Sequence, residues 1–344
     1  MIRRILRVPL LLAAVFALPH VCPAPLVYKP GEGWSYEPVG GGGGWKRTRA
    51  KDQLEVAEKA FEAKDYDLAL KAARETVKKW EFSDYAPKAQ FLVGRSLEEL
   101  KDDEKAFKAY QTLLEKYPKV DNYEEVLKRQ FEISNRYLSG QRFKLWGVVP
   151  LFPSMEKTSQ MYEKVIKNGP YSDVAPKAQM NIGTAQEKRG EFTDAVKAYE
   201  KAADKYHDQK SIAADALFKA GMTHLKQAKS AEYDQGVAAK AIAAFTDFIA
   251  LYPEDKRVAD ARKNIDSLRG EQARGAMEIA RFYEKKRQWS GALVYYNEVL
   301  IKDPDSFLAA EAKRRIEFLR TLPDLTAAAT RSTNAVPAEA PKPQ

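Results

Sequence analysis

Small and aromatic residues recur along this chain at fixed distances. Gly94 is followed after 12 residues by Ala106, after 4 more by Tyr110 and after 8 more by Pro118. Gly183, Ala195 and Tyr199 repeat the first two spacings, with Ala202 three further on. Two segments, SDYAPKAQFLVG from Ser83 and SDVAPKAQMNIG from Ser172, agree at 8 of 12 positions at an offset of 89. Between these marks Glu and Lys sit at i, i+3 and i+4 intervals, the spacing of neighbours on a helix surface. The pattern predicts paired helices. A small residue on each lets their backbones approach, an aromatic one turn later fills the gap to the next pair, and Pro closes the second helix.

That order of small, small, aromatic and Pro resembles the tetratricopeptide repeat. The expected fold is therefore all-α, a tetratricopeptide-repeat superhelix of about six helix-turn-helix units. Their second-helix small residues are Ala69, Ala106, Thr158, Ala195, Ala241 and Ala292. Pro118, Pro170, Pro253 and Pro304 close four of them, and His207 stands in the Pro place of the fourth. The first repeat has Ala57 for Gly and no closing Pro, as a terminal cap can.

Repeat arithmetic also locates two insertions. The distance between the two small residues is 12 in repeats one, two, four and six, but 24 from Ser134 to Thr158 and 20 from Gly221 to Ala241. The third repeat thus carries an extra apolar stretch, RFKLWGVVPLFP, expected as a hairpin-like loop between its helices. Two uses are open: a plug for a local gap, or a docking surface of Phe143, Leu145, Trp146, Val148, Val149 and Phe152 for a partner or a membrane interface. The docking reading is the expectation. The excess in repeat five is polar and reads as a longer turn.

The ends differ from the array. Residues 1–24 have three Arg followed by an apolar stretch from Val8 to Leu18, too short to span a bilayer, and read as a secretory signal peptide. Cys22 stands where a lipoprotein signal places its acylated residue, and is the candidate lipidation site. Pro19, His20 and Val21 ahead of it depart from the small residues usual there, so lipidation, ordinary cleavage and an uncleaved anchor all stay open. Residues 25–49 are Gly- and Pro-rich and are expected to be a flexible linker, 50–320 form the repeat domain, and 321–344 read as a disordered tail. Net charge is +9, and would be +6 without the three arginines of the signal segment. Acids and bases are interleaved along helical faces, which argues against a nucleic-acid footprint.

Catalytic chemistry finds no foothold. Histidine occurs only at positions 20, 207 and 224, and there is no HExxH, CxxC or GxSxG motif and no His/carboxylate cluster with metal-ligand spacing. No enzyme, metal or cofactor is expected. What remains is binding, on the concave face lined by the first helix of each repeat. That geometry turns Lys88, Phe91 and Arg95, then Lys128, Phe131 and Asn135, toward the groove, where cations beside aromatics suit an extended peptide with a carboxylate and an apolar side chain.

Repeats near 37 residues behind a signal segment, with RVADARKNIDSLRGEQARGAMEIARFYEKKRQWSGAL reading as one long helix from one repeat into the next, resemble the BamD (YfiO/ComL) family of outer-membrane assembly lipoproteins. The likeness covers roughly residues 50 to 320. It implies a periplasmic scaffold on the inner leaflet of the outer membrane. N-terminal repeats would bind unfolded β-barrel substrates, and C-terminal repeats the periplasmic domains of the outer-membrane barrel assembly protein. The alternative is a periplasmic cell-wall or division coordinator of the same repeat type.

Overall fold

The computed structural model describes residues 26–29, 33–36, 44–145, 149–150, 153–230 and 235–322. The chain divides into two compact units, residues 1–100 and 101–344.

The N-terminal unit begins with an antiparallel hairpin of β1 (Leu26–Lys29) and β2 (Gly33–Tyr36), with Leu26 opposite Tyr36 and Lys29 opposite Gly33. This segment falls in the stretch expected to be linker. Leu-Val-Tyr and Trp-Ser-Tyr are strand formers on either side of Pro30 and Gly31, a hairpin pattern that the glycine run beyond it obscures. Helices α1 (Ala50–Glu62), α2 (Tyr66–Lys79) and α3 (Ala86–Glu99) follow. Ala57 and Ala69, the small pair of repeat one, are fully buried. Asp65 caps α2, its carboxylate accepting from the Leu68 amide at 3.0 Å.

The C-terminal unit holds α4 (Asp103–Lys116), α5 (Tyr123–Leu138), the strands β3 (Lys144–Leu145) and β4 (Val149–Pro150), α6 (Met155–Asn168), α7 (Ala175–Arg189), α8 (Phe192–Lys205), α9 (Lys210–Ser230), α10 (Gln235–Leu251), α11 (Val258–Lys285), α12 (Trp289–Lys302) and α13 (Phe307–Arg320). Helix pairing follows the predicted spacings. A Cβ on Gly183 would come within 2.6 Å of the Tyr199 ring, and one on Gly221 within 2.7 Å of the Phe245 ring. The glycines are there because an aromatic of the second helix occupies the space a side chain would need.

The turn between the two helices also has a fixed requirement. Lys64, Lys101, Gly190 and Arg287, each seven residues after the first-helix small residue, all have positive φ, from 58° to 79°. Only Gly190 adopts that conformation without a Cβ penalty.

Helix α11 is the long helix the sequence predicts, at 28 residues. Its first half packs Ala261, Ile265 and Leu268 with Phe245 and Phe248, and its second half packs Ala273, Ala276, Met277 and Ala280 with Tyr296 and Ile316. Repeat five differs from expectation. Its extra residues lengthen the helices, to 21 residues in α9 and 17 in α10, because the Ala-rich sequence on both sides favours helix over turn. No helix among the described residues is long and apolar enough to cross a membrane.

Candidate peptide-binding site

On α3, Lys88 is exposed while Phe91 and Arg95 are half-buried. Burial pushes the Glu58 carboxyl on α1 above its ordinary value, and the Lys88 charge opposes that shift. Arg95 is committed to packing. Its guanidinium lies over the Phe61 ring of α1 at 5.3 Å, and its Nε is buried without a hydrogen bond. On α5, Lys128 is exposed, and the half-buried Phe131 ring sits 5.9 Å from that of Tyr162.

Asn135 is tied into a network that sequence spacing did not reveal. The Tyr162 hydroxyl of α6 donates to Asn135 Oδ1 at 2.6 Å. Asn181 Nδ2 of α7 donates to the same oxygen at 2.9 Å and to the Tyr162 hydroxyl oxygen at 3.2 Å. Tyr162 is fully buried, and burial raises its hydroxyl pKa, so it stays a neutral donor. The signal for Tyr162 was present, since it is the helix-B aromatic of repeat three. Asn181 lies two residues before Gly183, at a position the spacing of small and aromatic residues leaves unread.

The insertion in repeat three corrects one assignment. Phe143, expected on the docking surface, is 4% exposed and stacks on Tyr137 at 4.1 Å with the rings 18° apart. The Lys157 ammonium covers its ring at 5.0 Å. It is a plug at the base of the loop: five residues past the end of α5, it reaches back to Tyr137 in the last turn of that helix. Beyond it the backbone forms the expected hairpin, Lys144 opposite Pro150 and Leu145 opposite Val149. Trp146, Val148 and Phe152 lie outside the described residues.

Two further features come from α9 to α13. Arg257 joins three elements: it donates to Asp215 at 2.7 Å and to Asp255 at 2.9 Å, and its guanidinium lies over the rings of Phe218 and Phe248. The bond from Arg257 holds the Asp255 carboxyl down at about 2. At the end of the array, Arg281, Glu284, Trp289, Tyr296, Glu311 and Phe318 line an open cavity of about 490 Å³. Tyr296 donates to Glu284 at 2.5 Å, Arg281 pairs with Glu311 at 2.7 Å, and Arg315 pairs with Glu284. On α11 to α13, Phe282, Val294, Ile301, Phe307 and Phe318 are all more than half exposed. Sequence reasoning missed this surface. Its signal is α12, WSGALVYYNEVLIK, which is apolar on more than one face.

The sequence profile of the YfiO family, described as an outer membrane lipoprotein, matches residues 153–333, more than half of the chain. The chain belongs to this family. A tetratricopeptide-repeat profile matches residues 56–121. Among YfiO-family relatives, the outer membrane protein assembly factor BamD of Caulobacter vibrioides is 24% identical over 155 residues, 45% of this chain and 50% of that protein. The match thus spans half of the relative's length. Similar solved structures include the C-terminal part of a TPR repeat-containing protein from Cytophaga hutchinsonii, 16% identical with a TM-score of 0.37, covering 78% of this chain and 88% of that one. MamA from Desulfovibrio magneticus is 15% identical with a TM-score of 0.33, over 61% of this chain and 98% of that one.

Proposed function

We propose that this YfiO-family protein is a periplasmic scaffold of the machinery that assembles outer-membrane β-barrel proteins, working at the inner leaflet of the outer membrane. The observation that carries the reading is the family match over residues 153–333, and the named relative is an assembly factor for outer membrane proteins. The matched region also includes several exposed large apolar side chains on α11 to α13. Side chains such as Val294, Ile301 and Phe307, at 63%, 77% and 76% exposure, stay in water at a cost that contact with another protein recovers.

In this reading α11 to α13 contact the barrel assembly protein. Unfolded barrel segments lie along α5, where Lys128 takes a carboxylate and Phe131 an apolar side chain; Lys88 and Phe91 on α3 offer the same character within the N-terminal unit. The apolar residues of the insertion, Leu145, Trp146, Val148, Val149 and Phe152, form a docking element for a partner or lipid surface.

Photo-crosslinking residues placed at 294, 301 and 307 test the partner assignment. Capture of the large outer-membrane barrel assembly protein from a membrane fraction is the expected result. Capture of cell-wall synthases alone would replace this reading with the division coordinator.

A further inference from the structure

The second helix of the first repeat differs from its counterparts on one exposed face. Lys71, Arg74 and Lys78 lie at i, i+3 and i+7 on α2, all exposed and none in an ion pair among the described residues. At the positions that match by distance from the small residue, α6 carries Gln160, Glu163 and Lys167, and α8 carries Lys197, Glu200 and Asp204. No second helix of the other repeats has more than one base there. The stripe runs about 10 Å along α2 and leads to Trp80 and Phe82. Phe82 is 99% exposed. Lys79 pairs with Glu75 at 3.0 Å, and its ammonium lies over the half-buried Trp80 ring at 5.7 Å. Lys46, over the Trp45 ring at 5.5 Å, belongs to the same end of the unit. After the bond from Lys79, the Lys46 charge helps hold the Glu75 carboxyl below its ordinary value.

We infer that this end of the N-terminal unit docks on an anionic phospholipid surface, with α2 lying along the headgroups and Phe82 inserted at the interface. Lys and Arg on the polar side of a helix, with aromatic rings at its end, are the composition that binds such surfaces. Charge complementarity selects the lipid: three neighbouring cations without partners match a plane of many anionic headgroups. A ring at the tip of a turn enters a fluid interface without needing a pocket shaped to it. The inference rests on the inner-leaflet placement proposed above. It adds a contact that acts with or without an acyl chain on Cys22, which lies outside the described residues. One acyl chain alone binds a membrane only marginally, so stable attachment requires a second contact of this kind.

Tyr171 provides an internal control. It stands at the position of Phe82 in the matching segment 89 residues on and is 94% exposed, but α6 ahead of it lacks the stripe and Gly169 takes the place of Trp80. In the full chain, Cys22→Ser removes the only cysteine, so Phe82→Cys or Tyr171→Cys in that background gives one site for an environment-sensitive fluorophore. Vesicles of phosphatidylethanolamine with phosphatidylglycerol should blue-shift the label at 82 and leave the label at 171 unchanged. Rising salt should reverse the shift, because exposed charges are screened. Replacing Lys71, Arg74 and Lys78 by Glu should weaken cosedimentation with these vesicles by on the order of tenfold or more. If that variant melts at a lower temperature, the salt titration of the label at 82 decides. Equal responses at 82 and 171, a response that salt leaves unaltered, or equal binding to phosphatidylcholine vesicles would overturn the inference and leave the assembly reading to its own crosslinking test. A label at 82 that shifts with detergent-solubilised outer-membrane proteins and not with vesicles would also overturn it, and would assign the tip to a protein.

Discussion

Gly183 shows how a single residue sets the packing between two helices. Its missing Cβ leaves room for Tyr199, which is fully buried and whose hydroxyl meets Thr184 at 3.1 Å. Alanine would gain about 1 kcal/mol in helix propensity. It would also place a carbon 2.6 Å from the ring, and overpacking of that kind costs about 1–3 kcal/mol. Gly183→Ala should therefore destabilise in urea unfolding. Gly270→Ala, whose Cβ would meet nothing nearer than 3.8 Å, should stabilise by about 0.5 to 1 kcal/mol. Gly183 and Tyr199 were legible because spacing alone pairs them. Arg257 was not, since its bonds to Asp215 and Asp255 depend on how the turn after α10 returns to α9. The depressed carboxyl of Asp255 gives that turn a pH signature. Its folded value of about 2 lies below the ordinary 3.8, so the stability it contributes is complete above about pH 4 and lost as pH falls toward 2. Asp255→Asn should remove that part of the acid dependence, measured as melting temperature against pH.

At the scale of elements, the insertion between α5 and α6 begins with a core residue. Phe143 belongs to the core, stacked on Tyr137, and Phe143→Ala should cost about 3 kcal/mol through lost burial and the cavity left behind. Deleting residues 144–152 and joining the helices with a short turn should leave the melting temperature nearly unchanged and reduce partner or membrane association. A large fall on deletion would make the whole loop structural. The length and place of the insertion were legible from repeat spacing, and so was its hairpin form. The burial of Phe143 was not, because contact with the last turn of α5 depends on where that helix stops. Repeat five was misjudged for a related reason: spacing counts added residues without saying whether a helix or a turn absorbs them.

The whole molecule is an array whose repeats follow a spacing rule, and for that reason its fold class could be read from Gly, Ala, Tyr and Pro alone. Its partners are written differently. The apolar side chains on α11 to α13 break no repeat rule and follow none, so only their exposure discloses them. Exposed apolar surface of that kind suits contact with other chains, the scaffold role proposed above. Depletion of the protein from the native cell, followed by quantitation of folded β-barrel proteins in the outer membrane, tests that role most directly. The scaffold account predicts that several unrelated barrels fall together while peptidoglycan synthesis and septation continue at first. Barrel levels that hold steady while septation or wall synthesis fails would contradict it.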